Sequence, residues 1–206
     1  MVRNLRKEQA AETREKLLEA AKTLFAEKGY HATPVRAINR KIDKGDGILY
    51  HYFPGGKREI LSVLLHESFE YKRNEIKLIH ENIGAMTIRD ALAAILNRMN
   101  ELFISDLELI RIMFRENHLL ESDETKQLSD FVQGQIHLLA GFLRRSHEKG
   151  EIKNLNFKLA ARQFLSMGMQ GRIGQAVGIN LIDDDGDINK YTEDIIDFSL
   201  DLWKKP

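Results

Sequence analysis

The chain of 206 residues has no cysteine. That excludes disulfides, thiolate zinc sites and cysteine nucleophiles, and it suits a reducing compartment. Proline occurs only at Pro34, Pro54 and Pro206, so little in the sequence interrupts helices. No apolar run approaches the roughly 18 residues that span a bilayer. The charged stretch from Met1 to Ala11 lacks the apolar segment of a signal peptide, and the expected location is therefore the cytoplasm. Strand-like alternation bounded by turn residues is missing from every window. Net charge is missing too, since 31 basic residues balance 31 acidic ones. The balance is uneven along the chain, however: residues 1–62 hold 13 Lys and Arg against 8 Asp and Glu, and the remainder holds 18 against 23. A basic N-terminal module on an acidic body points to a polyanion partner for the first part alone, because counterion release needs cations locally.

What remains is helix. A first helix is predicted from Thr13 to Lys28, with Leu17, Ala21, Leu24 and Phe25 on one face and Gly29 closing it. Thr33 stands where an N-cap belongs, with Pro34 at the first helical position, so a second helix of barely two turns is expected to about Ile42. Asp43, Lys44, Gly45, Asp46 and Gly47 crowd two glycines and two aspartates into five positions and form a turn. Ile48 to Phe53 reads as a third short helix, stopped by Pro54-Gly55-Gly56. Longer amphipathic helices follow at about 57–81, 87–104, 107–119, 123–149, 157–178 and 188–204.

Two short helices around a tight turn, after a longer scaffold helix, form the unit that sets its second short helix into a DNA major groove. Ile38, Ile42, Leu49 and Phe53 can lock the pair together and onto Leu24 and Phe25. Tyr50, His51 and Tyr52 then offer hydroxyl and imidazole groups to phosphates and base edges, although Tyr52 is also a candidate for the core. Lys57 and Arg58 fall at the N-terminus of the next helix, where free N–H groups already favour a phosphate.

The run from Thr13-Arg14-Glu15-Lys16-Leu17-Leu18 through Leu24-Phe25-Ala26-Glu27-Lys28-Gly29-Tyr30, Ala32-Thr33, Val35-Arg36 and Ile38 to Gly47-Ile48-Leu49-Tyr50-His51-Tyr52-Phe53 and Lys57-Arg58-Glu59-Ile60-Leu61 resembles the N-terminal signature of TetR-family regulators. About fifty residues share its order and spacing. The resemblance implies an N-terminal three-helix helix-turn-helix domain over residues 1–56, with its motif at 34–53, and a helical ligand-binding and dimerisation domain over residues 57–206. Thr33 would cap the helix that abuts the DNA backbone, Gly47 and Ile48 would open the recognition helix, Arg36, Tyr50, His51 and Tyr52 would approach DNA, and Lys57 would hold a phosphate. Arg3, Arg6 and Lys7 precede the first helix as a solvated tail or, alternatively, as a minor-groove arm. The turn departs from the family pattern. Ile42-Asp43-Lys44-Gly45 stands where Ala-Gly-Val-Ser is usual, and Asp46 follows where a neutral or basic residue is more common. Asp46 is expected to cap the recognition helix, or else to accept from a cytosine amine. One extra residue also lies between Phe53 and Lys57 relative to the commonest family spacing.

In the body, Gly168, Gly171, Gly174 and Gly178 punctuate a helix that also carries Phe164 and Met167, and each glycine costs a helix interior ~1 kcal/mol unless close packing compensates. Ile188, Tyr191, Ile195, Phe198 and Leu202 recur at steps of 3 and 4, the seam of a helix packed along its length. Phe164, Gly168, Gly171, Ile195, Phe198 and Leu202 are accordingly expected at a homodimer interface. Met99, Phe103, Phe114, Phe131 and Met167, with Arg111, His118, Gln135 and His137 as polar anchors, are candidates for a pocket that takes a small hydrophobic or amphipathic effector.

The whole reads as an all-α, ligand-responsive transcriptional repressor that binds a palindromic operator as a homodimer. The alternative is a helical ligand-binding or adaptor protein with weak or lost DNA binding. An enzyme finds no support. Asp183-Asp184-Asp185-Gly186-Asp187 lacks the glycine and glutamate positions of a calcium loop and reads as a solvated loop ending in the N-cap Asp187. Gly55-Gly56-Lys57-Arg58 fails as a phosphate loop, because His51 stands where the first glycine belongs and Arg58 replaces the magnesium-binding hydroxyl. His66-Glu67 lacks the second zinc-protease histidine, and no Gly-x-Ser-x-Gly elbow occurs. No cofactor and no metal cluster is expected from these patterns.

Overall fold

The computed structural model describes residues 2–182 and 187–205, with the backbone alone for residues 2–4. The acidic loop residues Asp183, Asp184, Asp185 and Gly186 lie outside them. Among the described residues every regular element is helical: α1 (Val2–Lys28), α2 (Val35–Lys41), α3 (Ile48–Tyr52), α4 (Gly56–Asn82), α5 (Ile88–Ile104), α6 (Leu107–Arg115), α7 (Ser122–Glu148), α8 (Phe157–Val177) and α9 (Ile188–Trp203). Short 3₁₀ turns at Ile83–Ala85 and Asn117–Leu119 join α4 to α5 and α6 to α7. Among the described residues no helix is long and apolar enough to cross a membrane.

Helix α1 starts at Val2 rather than near Thr13. No proline or glycine stands between the two positions, the residues there are good helix formers, and Thr13 is not a cap: its hydroxyl donates back to the Gln9 carbonyl at 2.8 Å. Arg6 and Lys7 are therefore exposed positions on a helix and not part of a loose tail. The C-terminus matches expectation. Gly29 takes φ +93° and donates to the Phe25 carbonyl at 3.0 Å, the left-handed cap that a side chain disfavours.

The chain packs as two compact units. The first comprises Met1–Ser68 and Glu108–Thr125, and the second Phe69–Leu107 and Lys126–Pro206. This is a different partition from the division expected at residue 56, since residues 57–68 and 108–125 cluster with the N-terminal helices. In the first unit Leu17, Leu24, Phe25, Ile38, Leu49, Phe53, Ile60 and Leu61 are buried. Each such side chain contributes about 1.5–3 kcal/mol on leaving water.

The second unit is built on Leu92, Ile95 and Leu96 of α5, Leu139, Phe142 and Leu143 of α7, Ala161, Phe164 and Leu165 of α8, and Ile195, Ile196 and Trp203 of α9. Side-chain caps fix its helix starts: Thr87 accepts from the Asp90 N–H, Asn156 from that of Leu159, and Asp187 from those of Asn189 and Lys190. The Phe164 ring lies 5.9 Å from that of Trp203, and Gly168 lets the Leu96 side chain come against the backbone of α8. Phe164, Gly168 and Ile195 therefore pack inside this unit, which corrects their expected place on an outward interface. The stretch of α8 that carries them is apolar on two sides, and spacing alone does not say which side faces inward.

Candidate nucleic-acid interface

The first unit holds α2 and α3 on a rigid base. Ile38 and Leu49, both fully buried, pin the pair, and the buried Asn39 ties their turn together. Its carbonyl accepts from the Lys44 N–H at 3.0 Å and its side-chain amide donates to the Asp46 carbonyl at 2.8 Å. The left-handed residue of the turn is Asp43, at φ +55°, while neither Gly45 nor Gly47 takes a positive φ. An aspartate tolerates that conformation better than most residues, which accounts for a turn that departs from Ala-Gly-Val-Ser without losing its shape.

With this base in place, Arg36, Asp46, Gly47, Tyr50 and His51 are exposed, and Ile48 and Tyr52 are half-buried. Tyr50 is 53% exposed although its side chain carries a large ring, so its burial in the unit is not what keeps it there. Its ring lies beside Gly56, whose φ of +66° already requires glycine. The His51 ring meets that of Tyr52 edge-on, with centroids 5.0 Å apart. An open groove of about 590 Å³ runs past Arg6, Glu12, Lys16, Asp43, Lys44 and Tyr52, carrying charges of both signs.

Two expected capping roles are corrected. Thr33 is fully buried and does not cap α2: its hydroxyl donates to the carbonyls of Gly29 at 2.7 Å and Leu24 at 3.1 Å, and Pro34 is the N-cap residue. A hydroxyl beside the open C-terminus of α1 finds unsatisfied carbonyls there, and these outcompete the N–H groups of α2. Asp46 caps nothing, because α3 begins after Gly47 with no side-chain cap.

The half-buried Lys57 engages its ammonium within the unit. Nζ donates to the carbonyls of Tyr30 at 2.7 Å and Thr33 at 2.8 Å, and it sits 4.5 Å above the Tyr30 ring. Burial pushes its pKa below the ordinary lysine value, with the nearby Glu116 opposing. The start of α4 is likewise occupied, since the Glu59 carboxylate accepts from the Gly55 N–H at 2.7 Å. Arg58 pairs with Glu121 at 3.0 Å and with the buried Glu124 at 2.7 Å. Burial alone would raise Glu124, but hydrogen bonds from Arg58, Ser62 and the Glu121 N–H outweigh it and hold the carboxyl below its usual range.

The residues expected around an effector divide between the two units. Arg111, Phe114 and His118 are exposed and belong to the first unit, whereas the other six belong to the second. Of these, Phe103 and Gln135 are buried, Met99, Phe131 and Met167 are half-buried, and His137 is exposed with its ring bound to the Gln133 carbonyl. Met99 and Met167 pack against the core of that unit. Arg172, which is not among the residues expected at a site, is 8% exposed, and its described partners are two neutral groups, the side-chain oxygens of Asn100 and Gln175, each at 3.2 Å. Burial lowers its pKa. Arg172 and Gln175 line an open pocket of about 480 Å³ with Ile179, Ile182 and Ile188. The one signal for it in the sequence is an arginine set among the glycines of an apolar helix.

Comparison with known proteins adds an independent finding. Residues 17–64 match the sequence model of a family described as bacterial regulatory proteins, tetR family. The chain is 25% identical over 146 residues to the fatty acid metabolism regulator protein of Bacillus subtilis (strain 168), covering 70% of this chain and 73% of that protein. It is 38% identical over 65 residues to the HTH-type transcriptional regulator LmrA of the same organism, a match spanning 32% of this chain and only 35% of that relative. In fold it is similar to the TetR family transcriptional regulator PfmR from Thermus thermophilus, with TM-score 0.69, 22% identity and coverage of 90% and 97%. It is also similar to the fatty acid degradation regulator FadR from Bacillus halodurans, with TM-score 0.63, 21% identity and coverage of 90% and 97%.

Proposed function

Because the chain belongs to the TetR family of transcriptional regulators, we propose that it is a homodimeric repressor which binds a palindromic operator through α3 and leaves it when a small effector binds the second unit. One observation carries the DNA-binding part. Arg36, Tyr50 and His51 are exposed on helices whose opposite faces are locked by Ile38, Asn39 and Leu49. A cation, a phenol and an imidazole on a preorganised surface suit phosphate oxygens and base edges.

Two such surfaces read a palindrome only in a dimer that holds them about 34–36 Å apart. The outward residues of α8 and α9 support one. Leu159, Ile173 and Val177 on α8 and Phe198 and Leu202 on α9 are large, apolar and exposed, Phe198 at 50% and Leu202 at 44%. Packing both helices against those of a second copy would remove that surface from water.

The effector is taken to be amphipathic with an acidic head. Arg172 supports this, since a buried guanidinium whose partners among the described residues are neutral amides gains from a carboxylate or phosphate, and Ile179, Ile182 and Ile188 give its pocket an apolar part. The relatives named for fatty acid metabolism and degradation accord with such a ligand.

Binding of the protein to its own upstream DNA and to a random duplex, followed by anisotropy across a salt series, tests the proposal. The upstream DNA should bind at least about a thousandfold more tightly at physiological salt. Equal affinity for both overturns it and favours the adaptor alternative, which the exposed Asp46 beside α3 would then explain.

A further inference from the structure

Two histidines and a buried carboxylate meet within the first unit. His31 follows the C-terminus of α1, His118 lies in the 3₁₀ turn Asn117–Leu119, and Glu116 immediately precedes that turn. The Nε2 atoms of the two histidines are 3.4 Å apart, with their rings nearly parallel at 15°. One ligating atom from each of the three side chains lies within 4.8 Å of the others. Glu116 is 7% exposed and is held in place, as its Oε1 accepts from the Tyr30 N–H at 3.1 Å and lies 3.3 Å from Arg115 Nε. Arg115 is itself anchored to the carbonyls of Phe25 and Ala26.

Two facing imidazole nitrogens at this distance can share one proton, or they can share one cation. A tetrahedral zinc ion with bonds of about 2.0–2.1 Å sets its donor atoms roughly 3.3–3.4 Å apart, which is the separation of the two Nε2 atoms. A carboxylate buried beside them supplies negative charge, and the hydrogen bond from Tyr30 orients it as a ligand's supporting shell does. The histidines are exposed, so an ion can enter and a water can complete the coordination. We propose that His31, Glu116 and His118 form a site for a first-row divalent cation of the zinc class, which ties the α1–α2 turn to the segment after α6. Neutral imidazole and carboxylate donors suit zinc, copper, nickel and cobalt over magnesium or calcium. No spacing in the sequence pairs His31 with His118, since 87 residues separate them. Only the local pattern Glu116-Asn117-His118 is visible in the sequence, and there His118 reads as an effector-pocket residue.

The test uses the full chain without an affinity tag. Zinc uptake is measured by competition with a chromophoric chelator, and cobalt by its visible bands. Wild type should take up one ion per chain and show the intense bands of tetrahedral cobalt, and zinc should raise its unfolding midpoint by linkage. His31→Asn and His118→Asn should each weaken uptake at least about tenfold, and the double variant should show no zinc-dependent rise. Glu116→Gln keeps the acceptor for the Tyr30 N–H while removing the negative ligand, and it too should bind more weakly. Unfolding without metal verifies that each variant folds. The proposal is overturned if wild type takes up no zinc at sub-millimolar concentration, or if the double variant titrates as wild type does. The readout is metal uptake, so it stands or falls apart from operator binding.

Discussion

The ammonium of Lys57 donates to the main-chain carbonyl of Tyr30 at 2.7 Å while resting 4.5 Å above the ring of the same residue. One cation thus closes the turn between α1 and α2 from the start of α4. The Tyr30 and Thr33 carbonyls belong to the turn that follows α1, and the lysine donates to both.

Replacing Lys57 by methionine should keep the aliphatic stem and lose both hydrogen bonds. The expected loss is about 1–3 kcal/mol of stability, read from urea unfolding. Lys57→Arg should not restore it, because a planar guanidinium does not fit a site shaped for a compact ammonium over a ring. Unchanged unfolding in the methionine variant would mean that the lysine is free to meet phosphate after all.

On α2 and α3 the exposed residues should behave oppositely. Tyr50→Ala should leave the unfolding midpoint nearly unchanged and weaken operator binding. Arg36→Ala should lower the salt dependence of binding by about 0.9 in log–log slope if the residue neutralises one phosphate. A slope identical to wild type would place Arg36 off the DNA.

Gly174 and Gly168 separate backbone from side-chain crowding. A Cβ on Gly174 would lie 2.4 Å from the Ile179 carbonyl oxygen, and one on Gly168 would lie 2.4 Å from a methyl of Leu96. The carbonyl belongs to a chain turn fixed by the hydrogen bond from the Ile179 N–H to the Gly174 carbonyl, so it cannot yield as a methyl can. Gly174→Ala should cost about 1–3 kcal/mol and exceed Gly168→Ala, whose strain is partly offset by helix propensity. Thermal unfolding of the two variants gives the order directly.

His80 should make the second unit sensitive to acid. Burial, with the nearby Arg145 adding to it, lowers its pKa to about 4, and its Nδ1 is buried without a partner. The unfolded chain takes a proton near pH 6.5, which the folded chain refuses until about pH 4. Stability is therefore full above pH 6.5 and falls as the pH drops toward 4, with a slope of at most about 1.4 kcal/mol per pH unit and less for a group that is partly solvated. Below pH 4 this contribution stays constant. His80→Gln should flatten the profile over that window in urea unfolding.

Much of the fold was legible because it is local. Gly29 closes α1, Asp187 caps α9, and the boundaries of α4, α5, α7 and α8 fall within a residue or so of their periodic patterns. Helix period, caps and breakers act over a few residues, and a sequence displays them directly. The start of α1 was missed for the same reason in reverse: nothing between Val2 and Thr13 marks a boundary, so the helix simply continues.

The helix-turn-helix with which α2 and α3 carry Arg36, Tyr50 and His51 was thus determined by the sequence itself. Tertiary structure decided how its neighbours are used. Whether the Lys57 ammonium meets a phosphate or two carbonyls, whether Thr33 caps forward or bonds backward, and which side of α8 is buried all depend on groups that folding brings from elsewhere in the chain. The same holds for His31 and His118, whose common site exists only because the turn after α1 and the turn after α6 converge. Hydrogen bonds and coordination are short-ranged in space and indifferent to separation along the chain, so no reading of spacing could have supplied them.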